Sequence, residues 1–233
     1  LHIATNAIGA KSAYDINLTT TAFSTTPVSG TKSVGPTGDY TSLANAIADI
    51  QGATLGGALM LELQPAYVST VETSPLAFTN LGTTATNTLT IRPQTGATNL
   101  SITSADTTAA TIDLNGAQYV TFDGRPGGTG TAKQLTIENT NTAGVALRFI
   151  NEASNNTIKF VTLQSVNTSV TSGTVVLSTT TGGFGNDNNT LDTCDIRDGA
   201  TTPSVAIVSR GTTTTTAQAN SGNTVTNCNI FNF

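Results

Sequence analysis

The sequence predicts an all-β chain: a right-handed parallel β-helix, a solenoid, closed at its start by a short capping helix. Three observations predict it. Residues 155–164 (NNTIKFVTLQ) return as 188–197 (NNTLDTCDIR) and as 222–231 (GNTVTNCNIF), about 33 residues apart, a period typical of stacked repeats. The aliphatics inside these copies are spaced alike. Ile158, Leu191 and Val225 are followed three positions on by Val161, Cys194 and Cys228, and two further by Leu163, Ile196 and Ile230. A gap of three and then two is no helical stripe. It fits two short strands meeting at a sharp bend near Phe160, Thr193 and Asn227. The composition agrees: 10% of residues are charged and 5% aromatic, against about 25% charged in ordinary globular domains. Thr, Ser, Asn and Gly fill the difference; Thr and Asn are poor helix formers, and Gly punctuates the chain. One such unit cannot bury its apolar side alone, whereas stacked copies can.

Taken in order, residues 1–33 read as a linker or the tail of a preceding module. Segments 1–10 and 16–23 hold candidate short strands, and Pro27, Gly30, Gly35, Pro36 and Gly38 punctuate the chain after them. Residues 34–57 hold the one convincing helix, over 42–50. Thr41 or Ser42 can cap it, and Leu43, Ala46, Ile47 and Ile50 recur at helical spacing. A β-helix ends in an open aliphatic layer with unpaired strand edges, and a helix laid across that end hides both. The solenoid proper is assigned to 58–233. Leu59, Leu61 and Leu63 alternate inward; 76–78 and 89–91 are read as continuing the first turn, and 100–102 as leading into the second. Three strand series follow. One runs 111–114, 145–150, 174–177 and 205–208; another 119–122, 157–160, 190–193 and 224–227; the third 135–137, 161–163, 194–196 and 228–230. Successive members should lie one strand spacing apart, about 4.8 Å. Extra residues fall at corners, at 124–133, 182–188 and 211–221. Nothing resembling a cap follows the last strand, so the β-helix is expected to continue beyond Phe233 or to meet another copy there.

Several function classes are disfavoured. A pI near 4.6 and a net charge of -5 argue against nucleic acid, whose phosphates need clustered cations. No apolar run approaches a membrane span. Two cysteines are not a disulfide scaffold. Cys194 and Cys228 occupy one position on adjacent turns, within disulfide reach, but read better as two buried thiols. Acid–base chemistry on such a fold needs convergent carboxylates, or carboxylates that hold calcium. The candidate cluster is Asp192, Asp195 and Asp198, with Arg197 beside it and Asp187 in the preceding loop. The aligned residues are Lys159, Thr162 and Ser165 on the turn before, and Thr226, Asn229 and Asn232 on the turn after. No second acidic row stands beside the first, so the cluster reads as a solvated polar face. No catalytic residue, cofactor or metal ligand is assigned, and His2 is given no catalytic weight. Asn155, Asn156, Asn188, Asn189 and Asn223 could be glycan acceptors. They read better as turn formers whose side chains bond the next turn's equivalent. The threonine runs 179–181 and 212–216 sit in corners rather than on one strand series, which disfavours an ice-ordering surface.

One resemblance covers residues 30–233. The segments GPTGDYTSLANAIADI, NTLTIRP, ATIDLNGAQYVTFDG, LTIENTNT and ALRFINEASNNTI resemble the right-handed β-helix modules of very long secreted surface proteins of Bacteroidetes, many exported by the type IX system. Asp106-Thr107-Thr108 is likewise similar to the short O-glycosylation signal of that phylum. The resemblance implies an extracellular or cell-surface location and an adhesive, filamentous or structural role. It also implies partners that are further modules or copies end to end, with surface polysaccharide as another candidate. The opening 38–50 is also similar to the start of pectin methylesterases. The paired acidic motifs of those enzymes and of polygalacturonases are absent from 192–198. The expectation is therefore a non-catalytic module, with a polysaccharide-binding or polysaccharide-degrading, pectin-lyase-like domain as the alternative.

Overall fold

A computed structural model describes residues 27–52 and 55–233. The candidate strands at 1–10 and 16–23, and His2, lie outside the described residues. In chain order, β1 (Val28–Val34) leads into α1 (Leu43–Gly52), β2 (Leu55–Leu63) and β3 (Leu76–Phe78). Then come β4 (Leu89–Pro93), β5 (Leu100–Ser104), β6 (Ala110–Asn115), β7 (Val120–Asp123), β8 (Leu135–Asn139) and β9 (Val145–Ile150). The later turns hold β10 (Thr157–Lys159), β11 (Val161–Ser165), β12 (Val175–Leu177), β13 (Thr190–Asp192), β14 (Asp195–Asp198), β15 (Ile207–Ser209), β16 (Thr224–Thr226) and β17 (Asn229–Ile230). These strands form three faces. A seven-stranded sheet runs β1-β2-β4-β7-β10-β13-β16, and two five-stranded sheets run β5-β8-β11-β14-β17 and β3-β6-β9-β12-β15. All the strand pairings are parallel. The chain is a parallel β-helix, as the repeat spacing predicts.

Register follows from the apolar columns. Leu61, Ile91, Phe122, Ile158, Leu191 and Val225 stack one above another on the seven-stranded face. Ile102, Ile137, Leu163, Ile196 and Ile230 do so on the second face, and Leu76, Ile112, Leu147, Val175 and Ile207 on the third. A slip of one residue would turn a whole column outward. Each fully buried Leu, Ile or Phe is worth about 1.5–3 kcal/mol. The columns therefore fix the pairing more firmly than any surface contact. Phe78 and Phe122 meet edge to face, centroids 5.5 Å apart. In the last turn Val225 and Ile230 are about half exposed.

Two expectations need correction. Residues 28–33, grouped with a linker or preceding module, belong to strand β1, which pairs to β2. Gly30 interrupts the strand, and of its residues only Val34 is buried, so alternation is lost. The segment 89–91 does not continue the first turn; it stacks on β2 and opens the next one. In the first turn a short 3-10 segment, Ser69–Val71, stands against β5 where later turns place a strand.

The helix matches the predicted cap. Leu43, Ala46, Ile47 and Ile50 are buried. The Ser42 hydroxyl accepts from Asn45 N at 3.1 Å, the N-cap bond that satisfies one orphan amide. Leu43 N and Ala44 N donate to the Glu72 carboxylate at 2.7 and 2.8 Å, and Tyr67 Oη donates to the same group at 2.8 Å. Glu72 lies 28 residues or more from the amides it holds, so no local motif announces it. Replacing Glu72 with Gln turns one acceptor oxygen into a donor facing these groups. We expect Glu72→Gln to lower unfolding free energy by about 2 kcal/mol, measured by urea titration, with Glu138→Gln as control.

The corners are where backbone rules are broken. Phe160, Thr193 and Asn227 take φ of 54°, 55° and 54°. They are the bend residues of the repeat, and each lies in the left-handed region. That conformation costs about 1–2 kcal/mol for a side chain with a Cβ. Ladder bonds on the next turn hold it: Phe160 N to Asp192 O at 3.1 Å and Thr193 N to Thr226 O at 3.0 Å.

Candidate functional site

The outer surface can be built column by column. On the seven-stranded face Thr90, Thr121, Thr157, Thr190 and Thr224 are register partners. Thr157, Thr190 and Thr224 share one position of the repeat, and the structure extends their column to Thr121 and Thr90. Two positions along each strand the neighbours are Arg92, Asp123, Lys159, Asp192 and Thr226. A single hydroxyl column beside charged residues is not a flat threonine array.

Charges on this surface are matched across turns. Glu62 and Arg92 are register partners 2.7 Å apart; so are Asp113 and Arg148, at 2.7 Å. Asp123 takes Arg125 at 2.7 Å and Lys159 at 3.5 Å, and the Arg125 guanidinium lies 4.4 Å over the Phe160 ring. Burial alone would raise the Asp123 pKa. Hydrogen bonds from Arg125 and the charges of Lys159 and Arg125 outweigh it and hold the carboxyl below its usual range.

The three aspartates singled out in the sequence are each occupied separately. Asp192 Oδ1 accepts from Thr193 Oγ1 at 2.9 Å and from Asn227 Nδ2 at 3.0 Å. Asp195 pairs with Lys133 and accepts from Asn229 Nδ2 at 2.8 Å. Asp198 accepts from Asn232 Nδ2 at 3.1 Å and from Arg197 Nε at 2.9 Å; the Asn232 bond first, then Arg197, lowers its pKa. Asp187 lies apart, holding Ser221 N at 2.7 Å and Ser221 Oγ at 3.0 Å. An asparagine of the following turn thus covers each of the three, and the structure does not bring them together as an acid–base pair. Among the described residues no group of three or more His, Cys, Asp or Glu is placed to hold a metal ion.

The paired asparagines do what their spacing suggests. Asn155 and Asn188 take positive φ, as does Gly222. The second members form a buried ladder: Asn156 Nδ2 donates to Asn189 Oδ1 at 2.9 Å, and Asn189 Nδ2 to Asn223 Oδ1 at 3.1 Å. A second ladder, Asn186 to Asn220 at 3.0 Å, was not foreseen. Cys194 and Cys228 are free thiols, Cys194 buried. A hydrogen bond with Cys228, and burial, push the Cys194 thiol pKa up.

Asp39, Asp106, Asp123 and Asp198 all have lowered pKa values. Their ionised forms therefore favour the fold. That contribution is complete above the unfolded value of about 4 and is lost as pH falls through the depressed folded values. We expect stability in urea to be nearly flat from about pH 7 to pH 5 and to fall below about pH 4. Asp123→Asn should shallow that acid slope.

The fold and its self-paired surface define the class of protein: a parallel β-helix solenoid. Comparison with protein-family models, curated proteins and solved structures gave no match to this chain.

Proposed function

We propose that this chain is a structural or adhesive module of a long extracellular surface or filamentous protein, without catalysis of its own. The observation that carries this reading is the outer surface of the β-helix. Among the described residues Glu62, Asp113, Asp123, Asp192, Asp195 and Asp198 are bridged turn to turn by Arg, Lys or Asn, which stiffens the stack and leaves none of these six carboxylates free. A polysaccharide-hydrolysing site needs the opposite, two carboxyl groups in different protonation states facing one cleft. The lowered pKa of Asp198 supports the same reading, since a general acid needs a raised one. The likeness of segments 35–50 and 110–124 to Bacteroidetes surface modules supports the extracellular placement and partners that are neighbouring modules. The test has two parts. The purified chain is incubated with pectin, polygalacturonate and alginate, and reducing ends and unsaturated products are measured; turnover with any of them sinks the non-catalytic reading. Antibody labelling of intact producing cells reads location, and signal only after lysis sinks the surface reading.

A further inference from the structure

We infer that the corner over 209–220 is a recognition site for a single carboxylated sugar residue, with Arg210 gripping the carboxylate. This deepens the adhesive reading above and rests on it. Lys32, Arg92, Arg125, Lys133, Arg148, Lys159 and Arg197 each have an aspartate or glutamate partner within ion-pair distance. Among the described residues Arg210 is the one lysine or arginine without such a partner, and it is exposed.

Arg210 lines a cleft of about 400 Å³, within the range of small-molecule sites. Its companions are mostly hydroxyl and amide side chains, among them Ser209, Thr213, Thr215, Thr216 and Asn220. The corner is longer than the stack requires. The connection between the third and the seven-stranded faces takes six residues from β9 to β10, twelve from β12 to β13 and fourteen from β15 to β16. The added residues are nonetheless fastened down. Thr212 Oγ1 accepts from Thr180 N at 2.9 Å and donates to Thr180 O at 3.0 Å. Gln218 Nε2 donates to Gly182 O at 2.6 Å, and Gly185 N to Ala217 O at 3.0 Å. A loop held from below loses little entropy on binding.

The chemistry selects the ligand. A guanidinium offers a planar fork that matches a carboxylate through two parallel bonds. Threonine and serine hydroxyls donate and accept, as sugar hydroxyls do. A polyanion is disfavoured, because one cation on a chain of net charge -5 cannot neutralise successive charges. The ligand is therefore one acidic sugar, terminal or alone, and its binding should depend weakly on salt.

The experiment uses the 233-residue chain labelled with ¹⁵N. It is titrated with 3′-sialyllactose, with galacturonic acid and with lactose, while amide shifts are followed. Saturable shifts confined to 209–220 with at least one acidic sugar, none with lactose, and at least about tenfold weaker binding in Arg210→Gln support the proposal. Silence toward both acidic sugars, equal response to lactose, or unchanged affinity in a normally folded Arg210→Gln overturns it. Failure here leaves the cell-labelling and turnover results untouched, so the two readings fail separately.

Discussion

Asn156→Ala is expected to lower the unfolding free energy by about 3 kcal/mol, one of the two largest effects predicted for a single side chain here. Asn156 is fully buried. Its Oδ1 accepts from Val120 N at 3.0 Å, and its Nδ2 donates to Ala117 O at 2.8 Å and to Asn189 Oδ1 at 2.9 Å. The side chain thus serves two backbone groups of the turn below while bonding the equivalent residue of the turn above. Alanine leaves Val120 N without a partner, away from water, and strips Ala117 O of one of its two donors, Ser154 N remaining at 3.1 Å. The orphaned amide costs about 1–3 kcal/mol and each of the two other lost bonds about 0.5–1.5 kcal/mol, more than the small gain from burying a methyl group. Asn156→Asp should do comparable damage, since a carboxylate cannot donate to Ala117 O. Urea denaturation read by far-ultraviolet circular dichroism measures the loss. Asn141→Ala, in an exposed turn whose side chain holds only Ala143 N, is the control and should cost under about 1 kcal/mol. A loss at Asn156 no larger than the control's would show that the ladder is not what holds this corner.

The same physics explains what was legible beforehand. In a parallel stack each residue sits on its own equivalent one turn away, so like must tolerate like. That is why Ile158, Leu191 and Val225 could be aligned by eye, and why the asparagine pairs announce a ladder. The bend at Phe160, Thr193 and Asn227 shows for a related reason: a strand reversing its pleat after three residues leaves a fixed gap between inward positions. Glu72 stayed hidden because a carboxylate that caps a helix from a distant turn leaves no local pattern. The first turn misled because Ser69–Val71 replaces a strand there, so counting strands put 89–91 one turn too early. β1 was lost because an edge strand with exposed residues has no alternation to read. At the candidate site, charge pairing depends on which column each residue joins. The sequence could line up Asp195 with Asn229, but it could not bring Lys133, 62 positions away, onto Asp195.

Gly124→Ala is expected to destabilise the chain by about 3 kcal/mol, at the upper end of what overpacking costs. Gly124 stands at the corner after β7, where Phe160, Thr193 and Asn227 stand in later turns. Its neighbours Asp123 and Lys159 are register partners, and Gly124 N donates to Lys159 O at 2.9 Å. A Cβ on Gly124 would lie 1.8 Å from Phe160 O and 2.7 Å from its carbonyl carbon. Both are backbone atoms, and Phe160 already sits at φ 54°, so neither side can yield cheaply. The later corners avoid the collision by taking positive φ; at Gly124 it is avoided by having no side chain. The strain should spread into the Asp123–Arg125–Lys159 ion pairs on either side. A stability difference measured at pH 7 and again at a pH low enough to protonate Asp123 separates the two contributions. If the loss is the same at both, it comes from the backbone clash alone; if it shrinks at low pH, part of it comes from the displaced ion pairs. Gly130→Ala is the matched control. Gly130 takes φ 76°, and a Cβ there would meet nothing within 4 Å, so that substitution carries conformational strain of about 1 kcal/mol without a clash. Equal losses at Gly124 and Gly130 would mean that the close approach to Phe160 is not what demands glycine at this corner.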